Sequence, residues 1–329
     1  MSRKMTNNQR VMHDLDSGES VVVRRSSFVE IGTRGSKLAL AQTELVRTAL
    51  ALAHPDLRIA IERITTKGDL VQDRPLSAIG DKGLFVAEIE QALREGRIDI
   101  AVHSAKDLPS ALPPDMALAA FPRRADPRDV LVARDGRRLA ELPQGARVGT
   151  TSPRRACQLR ALRPDLLIAD LRGNVDTRLR KLHEGQYDAI VLAAAGLDRL
   201  ALADRVTEYL HTEIMLPAGG QGALALEVRA ADEATAALLA PLDDQATRAA
   251  VLAERAFLAQ IGGGCHTPIG AYARLDVDTL SLAGMIGARD GRVVRGELSG
   301  PAGDPATLGV RLAEEILGCG GRELMRIGY

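Results

Sequence analysis

Short apolar runs of strand length alternate with helix-length amphipathic stretches twice along this chain, and that alternation leaves few folds open. The first series runs FVEIGT (28–33), KLALAQTELVRTALALA (37–53), LRIAIERITT (57–66), LFVAEIEQALREG (84–96) and IDIAV (98–102). The second runs ARVGTTS (146–152), PRRACQLRALRP (153–164) and YDAIVLAAAGLDRL (187–200). Continuous apolar strands separated by helices predict sheets buried on both faces, which is the α/β class. With 329 residues the chain exceeds what one core organises, so two α/β units are expected rather than one. From about residue 245 the pattern changes. One helix is followed by three β-like runs, IGAYARL, TLSLAGMIGA and RVVRGELSG, and then the helix PATLGVRLAEEILGCGG. This predicts a small α+β domain with a three-stranded antiparallel sheet.

Two crossings, the proline- and arginine-bearing FPRRADPRDVLVAR (121–134) and the Pro/Gly-rich start of MLPAGGQGALALEVR (215–229), separate the α/β series. They predict two hinge strands between two lobes, with a binding cleft between the lobes. The expected boundaries are a disordered tail over 1–25, a first α/β domain over 26–122 plus 223–240, a second over 128–216 and the α+β domain over 245–329. Forty-three basic residues balance forty-three acidic ones, so no global field points to nucleic acid or membrane. Aromatic residues make up 2% with no Trp, which argues against a base-stacking surface. No run approaches the roughly 20 apolar residues of a membrane span, and 1–25 shows no signal-peptide h-region. Three widely spaced cysteines, Cys157, Cys265 and Cys319, offer no metal-ligand spacing and fit a reduced, cytoplasmic setting.

Charge is nevertheless concentrated locally. Ser36 reads as an N-cap after the Gly35 turn, which sets Arg34 and Lys37 at a helix N-terminus. Ser152 and Pro153 make a second helix start, with Arg154 and Arg155 in its first turn. Cations there oppose the macrodipole, so an anionic ligand would resolve the conflict, and leucine at either position should leave the fold intact. Eight arginines face three aspartates between Arg147 and Arg180. Arg172 and Arg178 flank another glycine turn, and a buried strand runs on into Arg199, so three successive strand ends deliver arginine. IDIAV ends in His103, Ser104, Lys106 and Asp107, at the strand end where open α/β sheets bind ligands. His103 reads as a satisfied core histidine. Lys106 and Asp107 read either as site residues or as an exposed ion pair. The segment LAQIGGGCHTPIG (258–270) places Cys265 behind three glycines and ahead of Pro268. It fits a helix C-cap with a small hydrophobic residue, or a tethering or nucleophilic thiol.

The chain resembles the hydroxymethylbilane synthase, or porphobilinogen deaminase, family. TRGSKLALAQ, KGD, KGLF, DIAVHSAKDLP, DPRDV, GTTSPRR, LRGNV, TRL, AGLDRL, LPAGGQGA and GGGCHTPIGAY carry the likeness in order from about Phe28 to the C-terminus. The resemblance implies two lobes like those of type II periplasmic binding proteins, joined by two hinge strands, and a third domain. It implies head-to-tail joining of four porphobilinogen units into hydroxymethylbilane with loss of ammonia, a step of tetrapyrrole and heme biosynthesis. One dipyrromethane cofactor, held as a thioether by Cys265, and a catalytic Asp107 follow from it. Contacts to acetate and propionate groups fall to Arg34, Ser36, Ser104, Lys106, Thr150, Ser152, Arg154, Arg155, Arg172, Arg178 and Arg199, with Phe85 bordering the cleft. No metal, nucleic acid or membrane is implied, and the family suggests a monomer. Ala78 and Gly262 depart from the residues some members carry, which puts one loop contact in doubt. On the residues alone, a two-lobed anion-binding or effector-sensing module and a cysteine-nucleophile transferase for another anionic substrate remain as alternatives.

Overall fold

The computed structural model of the protein describes residues 28–66, 86–262 and 267–327. Phe85, Cys265, Ala78, the 1–25 tail and the KGD and KGLF motifs lie outside the described residues.

In the first lobe, strand β1 (Phe28–Arg34) pairs in parallel with β2 (Arg58–Ile64) and β3 (Ile100–Ser104). Strand β10 (Leu224–Arg229) lies antiparallel between β3 and β4 (Met116–Ala120), giving the order β2-β1-β3-β10-β4. In the second lobe β6 (Arg147–Gly149) pairs in parallel with β7 (Leu167–Ala169) and β8 (Ala189–Ala193). There β5 (Asp129–Ala133) runs antiparallel between β8 and β9 (Glu208–Leu210), giving β7-β6-β8-β5-β9. The two orders are the same pattern. Each lobe completes its sheet with one antiparallel strand that leads out of or into a hinge crossing, as the two-lobed type II binding fold requires.

The inner strands of the lobes are largely apolar because both faces are covered. On β5, Val130 and Val132 join one core while Leu131 and Ala133 join the other, and on β8 Ile190 and Leu192 alternate in the same way with Ala189 and Val191. Each buried Val, Leu or Ile among them is worth about 1.5–3 kcal/mol relative to exposure. Helix α1 (Lys37–Ala53) starts where Ser36 Oγ accepts from the Ala39 amide at 3.2 Å, and buries Val46 and Leu50 on the first sheet. Helix α3 (Pro153–Leu162) starts with Ser152 Oγ accepting from the Arg155 amide at 3.4 Å and Pro153 at its first position. Helices α2 (Ala87–Arg94), α4 (Val175–His183), α5 (Ala194–Arg199) and α6 (Glu233–Leu239) complete the lobes.

The third domain sets α7 (Gln245–Ile261) and α8 (Pro305–Ile316) against one face of the antiparallel sheet β11-β12-β13 (Ile269–Asp276, Thr279–Gly287, Val293–Pro301). Its core gathers Phe257, Leu282, Leu312 and Ile316. Gly309 lets the two helices touch, since a Cβ there would strike the Ala253 carbonyl. Helix α7 ends at Gly262, whose φ of 71° is the left-handed cap that glycine adopts freely. The last described element is α9 (Arg322–Ile327).

Candidate active site

The carboxyl ends of β1 and β3 in the first lobe face those of β6, β7 and β8 in the second, across a cleft of about 670 Å³. The first lobe contributes Arg34, Ser36, Ser104, Lys106 and Asp107 to its lining. The second contributes Arg155, Arg172, Arg178 and Arg199. Parallel strands that all end on one side explain how residues so distant in sequence converge. Thr150, Ser152 and Arg154 stand behind this wall: Thr150 Oγ1 accepts from the Ser152 amide at 3.2 Å, Ser152 caps α3, and Arg154 is turned inward. Thr151 reaches the lining in their place. Gln42 Nε2 donates to Ser104 Oγ at 2.9 Å, fixing that hydroxyl from α1. His103 is buried, its Nε2 2.9 Å from Glu227 Oε2, as its strand position suggests.

The charge of Arg154 and Arg155 is answered by Asp129, a residue of the first crossing to which the sequence alone assigns no role. Asp129 is 0% exposed and the arginines 4% and 6%. Arg154 Nη1 donates to Asp129 Oδ2 at 2.6 Å and to the Leu216 carbonyl at 2.7 Å. Arg155 donates to Asp129 Oδ1 from Nε at 2.9 Å and from Nη2 at 2.7 Å, and to the Val191 carbonyl at 2.9 Å. The expectation that these cations wait for a ligand to be compensated is therefore corrected. Two buried guanidiniums share one carboxylate, which leaves a net positive charge in the cleft wall, and leucine at either position removes a partner from a buried network. A signal for Asp129 existed: an acid opening the otherwise apolar strand DVLVA, upstream of an arginine excess. Burial works to raise the Asp129 pKa, but Arg154 and Arg155 outweigh it and hold the carboxyl well below its usual range.

Gln221, in the second crossing, ties this network to the first lobe. Its Nε2 donates to Asp129 Oδ1 at 3.0 Å and to the Pro127 carbonyl at 2.7 Å, while its Oε1 accepts from Lys106 Nζ at 3.4 Å. The Lys106 side chain is open to the cleft yet walled in by protein on the other sides. That enclosure, reinforced by Arg155 and Arg154 against the pull of Asp107 and Asp129, lowers its pKa to about 8. Burial, with Arg155 nearby, brings Arg178 down to about 10, so it stays charged at neutral pH. Arg199 is also lowered by burial and donates from Nη2 to the Gly222 carbonyl at 2.7 Å, which anchors α5 to the second crossing.

The third domain grips both crossings through Glu254 of α7. Arg124 donates to its two oxygens at 2.6 and 3.2 Å, and the amides of Gly220 and Ala273 donate at 2.6 and 2.7 Å. Glu254 is wholly buried, so its charge is stabilised by four donors rather than by water. Arg124 also lies over the Tyr272 ring at 5.2 Å. On the described residues flanking Cys265, the Ala271 amide donates to the Pro217 carbonyl at 3.0 Å and Leu258 packs where Gly219 leaves room. No group of metal-ligating side chains occurs among the described residues.

Two family models match the chain: "Porphobilinogen deaminase, dipyromethane cofactor binding domain" over residues 29–237 and "Porphobilinogen deaminase, C-terminal domain" over residues 248–318. The porphobilinogen deaminase of Roseiflexus castenholzii is 68% identical over 295 residues, covering 90% of this chain and 97% of that protein. That of Syntrophotalea carbinolica is 52% identical over 301 residues, covering 91% and 96%. Among solved structures, the periplasmic aliphatic sulphonate binding protein SsuA from Escherichia coli aligns with 71% of this chain and 70% of its own, at 16% identity and a TM-score of 0.40.

Proposed function

Because the chain belongs to the porphobilinogen deaminase family, we propose that its cationic cleft holds the acetate and propionate groups of porphobilinogen and of the growing oligopyrrole, with Asp107 as the catalytic carboxylate. The enzyme is a transferase that joins four porphobilinogen molecules head to tail into hydroxymethylbilane, releasing ammonia at each addition. It carries a dipyrromethane cofactor, which supplies the primer on which the chain is built. The observation that carries the reading is the meeting of Arg34, Arg155, Arg172, Arg178, Arg199 and Lys106 with Asp107 in one cleft.

The donor set fits such a ligand. Two carboxylates about 4 Å apart repel by roughly 4 kcal/mol at an effective dielectric near 20, and every pyrrole brings two more. Arginine answers this better than lysine, since its planar fork takes a carboxylate through two bonds and stays charged when partly buried. Thr150, Ser152 and Arg154, which the family resemblance gives as contacts to the acetate and propionate groups, also support Arg155 in this reading, through the turn that Thr150 and Ser152 shape and the Asp129 carboxylate that Arg154 shares. Phe85 borders the cleft in this reading, and Cys265 is the thioether attachment point, in a segment whose described flanks rest on the second crossing.

Asp107 meets the two charge problems of each addition. Departure of ammonia from porphobilinogen leaves a cationic pyrrole, and carbon–carbon bond formation then produces a second cation that must lose a proton. The carboxylate stabilises both positive charges, and its protonated form assists the amine to leave. The domain division follows the same reading: 26–122 with 223–240 and 128–216 form the two lobes, and 245–329 forms the cofactor-bearing domain. We infer a cytoplasmic setting from the three widely spaced cysteines, a monomer from the family resemblance, and a lack of nucleic-acid or membrane partners from the even charge balance; among the described residues no helix is long and apolar enough to cross a membrane. Light scattering on the purified enzyme checks the monomer.

Intact mass tests the cofactor assignment. Purified enzyme should exceed its sequence mass by a two-pyrrole adduct, and Cys265→Ser should lose both the excess and the activity. Active enzyme with an unmodified Cys265 would overturn it.

A further inference from the structure

Lys37 and Asp176 face each other across the mouth of the cleft. Lys37 opens α1 in the first lobe and Asp176 lies in the first turn of α4 in the second. Their Nζ and Oδ2 atoms are 2.7 Å apart, with side chains 76% and 42% exposed. Both residues line the cleft. Beside them Leu38 of α1 approaches α5, its Cδ2 lying 3.8 Å from the position a Cβ on Gly196 would occupy. The lobes therefore touch directly at the mouth as well as through the crossings, and the ionic part of that contact is open to solvent.

An exposed ammonium–carboxylate pair is held weakly and exchanges readily, because water and salt screen it. The ligand of this cleft brings the same chemical group that Asp176 offers, two carboxylates per pyrrole. An incoming acetate or propionate thus competes for Lys37 with a protein carboxylate of equal charge. We propose that Lys37 is a further carboxylate-binding residue of the cleft and that Asp176 is its built-in competitor, displaced when substrate enters. Displacement moves Lys37 from a tie between lobes to a contact with the ligand, and frees the facing ends of α1 and α4 from each other. This rests on the reading of the cleft as the porphobilinogen site.

The proposal makes a prediction of sign that a plain structural tie does not. Asp176→Asn removes the competitor and leaves Lys37 free for substrate, so KM for porphobilinogen should fall about two- to fivefold, the range an exposed ion pair commands. Lys37→Gln removes the contact, so KM should rise by a similar factor. The double variant should resemble Lys37→Gln, because Asp176 acts only through Lys37. Asp176→Ser should repeat the effect of Asp176→Asn, which separates loss of the carboxylate from any particular replacement. The gap between wild type and Asp176→Asn should close as salt is raised towards 1 M, where the screening length falls to about 3 Å. The experiment uses cofactor-loaded enzyme, with steady-state kinetics over a porphobilinogen series and thermal unfolding of each variant alongside. A KM shift of the same sign in both single variants marks a structural tie and overturns the proposal, as does no shift in either. Failure of the wild type to form hydroxymethylbilane would instead sink the reading of the cleft itself.

Discussion

Asp129→Asn should be the most damaging single-atom-scale change in the second lobe. In the wild type the Asp129 oxygens accept four hydrogen bonds of 2.6–3.0 Å, three from Arg154 and Arg155 and one from Gln221. The amide replacement keeps the shape, removes the charge, and turns one acceptor into a donor aimed at guanidinium donors. Two cations are then left in the wall with only the Leu216 and Val191 carbonyls to hold them. Breaking a buried ion pair from one side costs about 3–5 kcal/mol, a large share of the roughly 5–15 kcal/mol that stabilises a folded protein. At about 2–4 °C per kcal/mol, the midpoint of thermal unfolding should fall by roughly 6–20 °C. Circular dichroism against temperature and urea measures this. The pH dependence gives a second check. The folded pKa of Asp129 is depressed, so its contribution is fully present above the unfolded value near 3.9 and is lost as pH falls towards the folded one. The gap between wild type and Asp129→Asn should therefore stay constant from about pH 8 to pH 5 and shrink below about pH 4. A loss under about 1 kcal/mol at pH 7, or a gap that grows in acid, would refute the argument that this carboxylate compensates the two arginines.

Asp107→Asn should fold and bind normally but lose about 10²–10⁴-fold in rate, while Asp107→Glu keeps a fraction of it; single-turnover addition of porphobilinogen followed by mass decides, and near-normal elongation in the Asn variant would assign the proton to another group. Lys106 should lose its charge near pH 8, so KM for porphobilinogen should rise above that pH, and Lys106→Arg should move the limb upward. Stability runs the other way for this group. Its folded pKa lies below the ordinary 10.5, the unfolded chain binds the proton more tightly, and the Lys106 contribution to stability should rise between about pH 8 and 10.5. A KM profile flat across pH 8 would remove Lys106 from the set of charged ligand contacts.

What the sequence by itself determined about this protein was local. Period-two and buried apolar runs set which segments are strands, and the β–α alternation follows from them. Ser36 and Ser152 with Pro153 set helix starts that the structure retains, because a cap is a bond between residues three apart. The placing of Arg34, Arg155, Arg172, Arg178 and Arg199 at the cleft was legible because parallel strands deliver whatever follows their carboxyl ends to one side.

Tertiary structure alone decided the partners. Asp129 and Arg154 are 25 residues apart, and Arg124 and Glu254 are 130 apart, with nothing in either segment naming the other. Lys37 and Asp176 meet only because the lobes close on each other. Thr150, Ser152 and Arg154 follow motif positions that look equivalent to Thr151 and Arg155, yet the twist of one turn puts the first set behind the wall and the second in it. The reason is physical: hydrophobic periodicity encodes which face is buried, whereas a buried charge is stable only against the groups that the folded topology brings within about 3 Å of it.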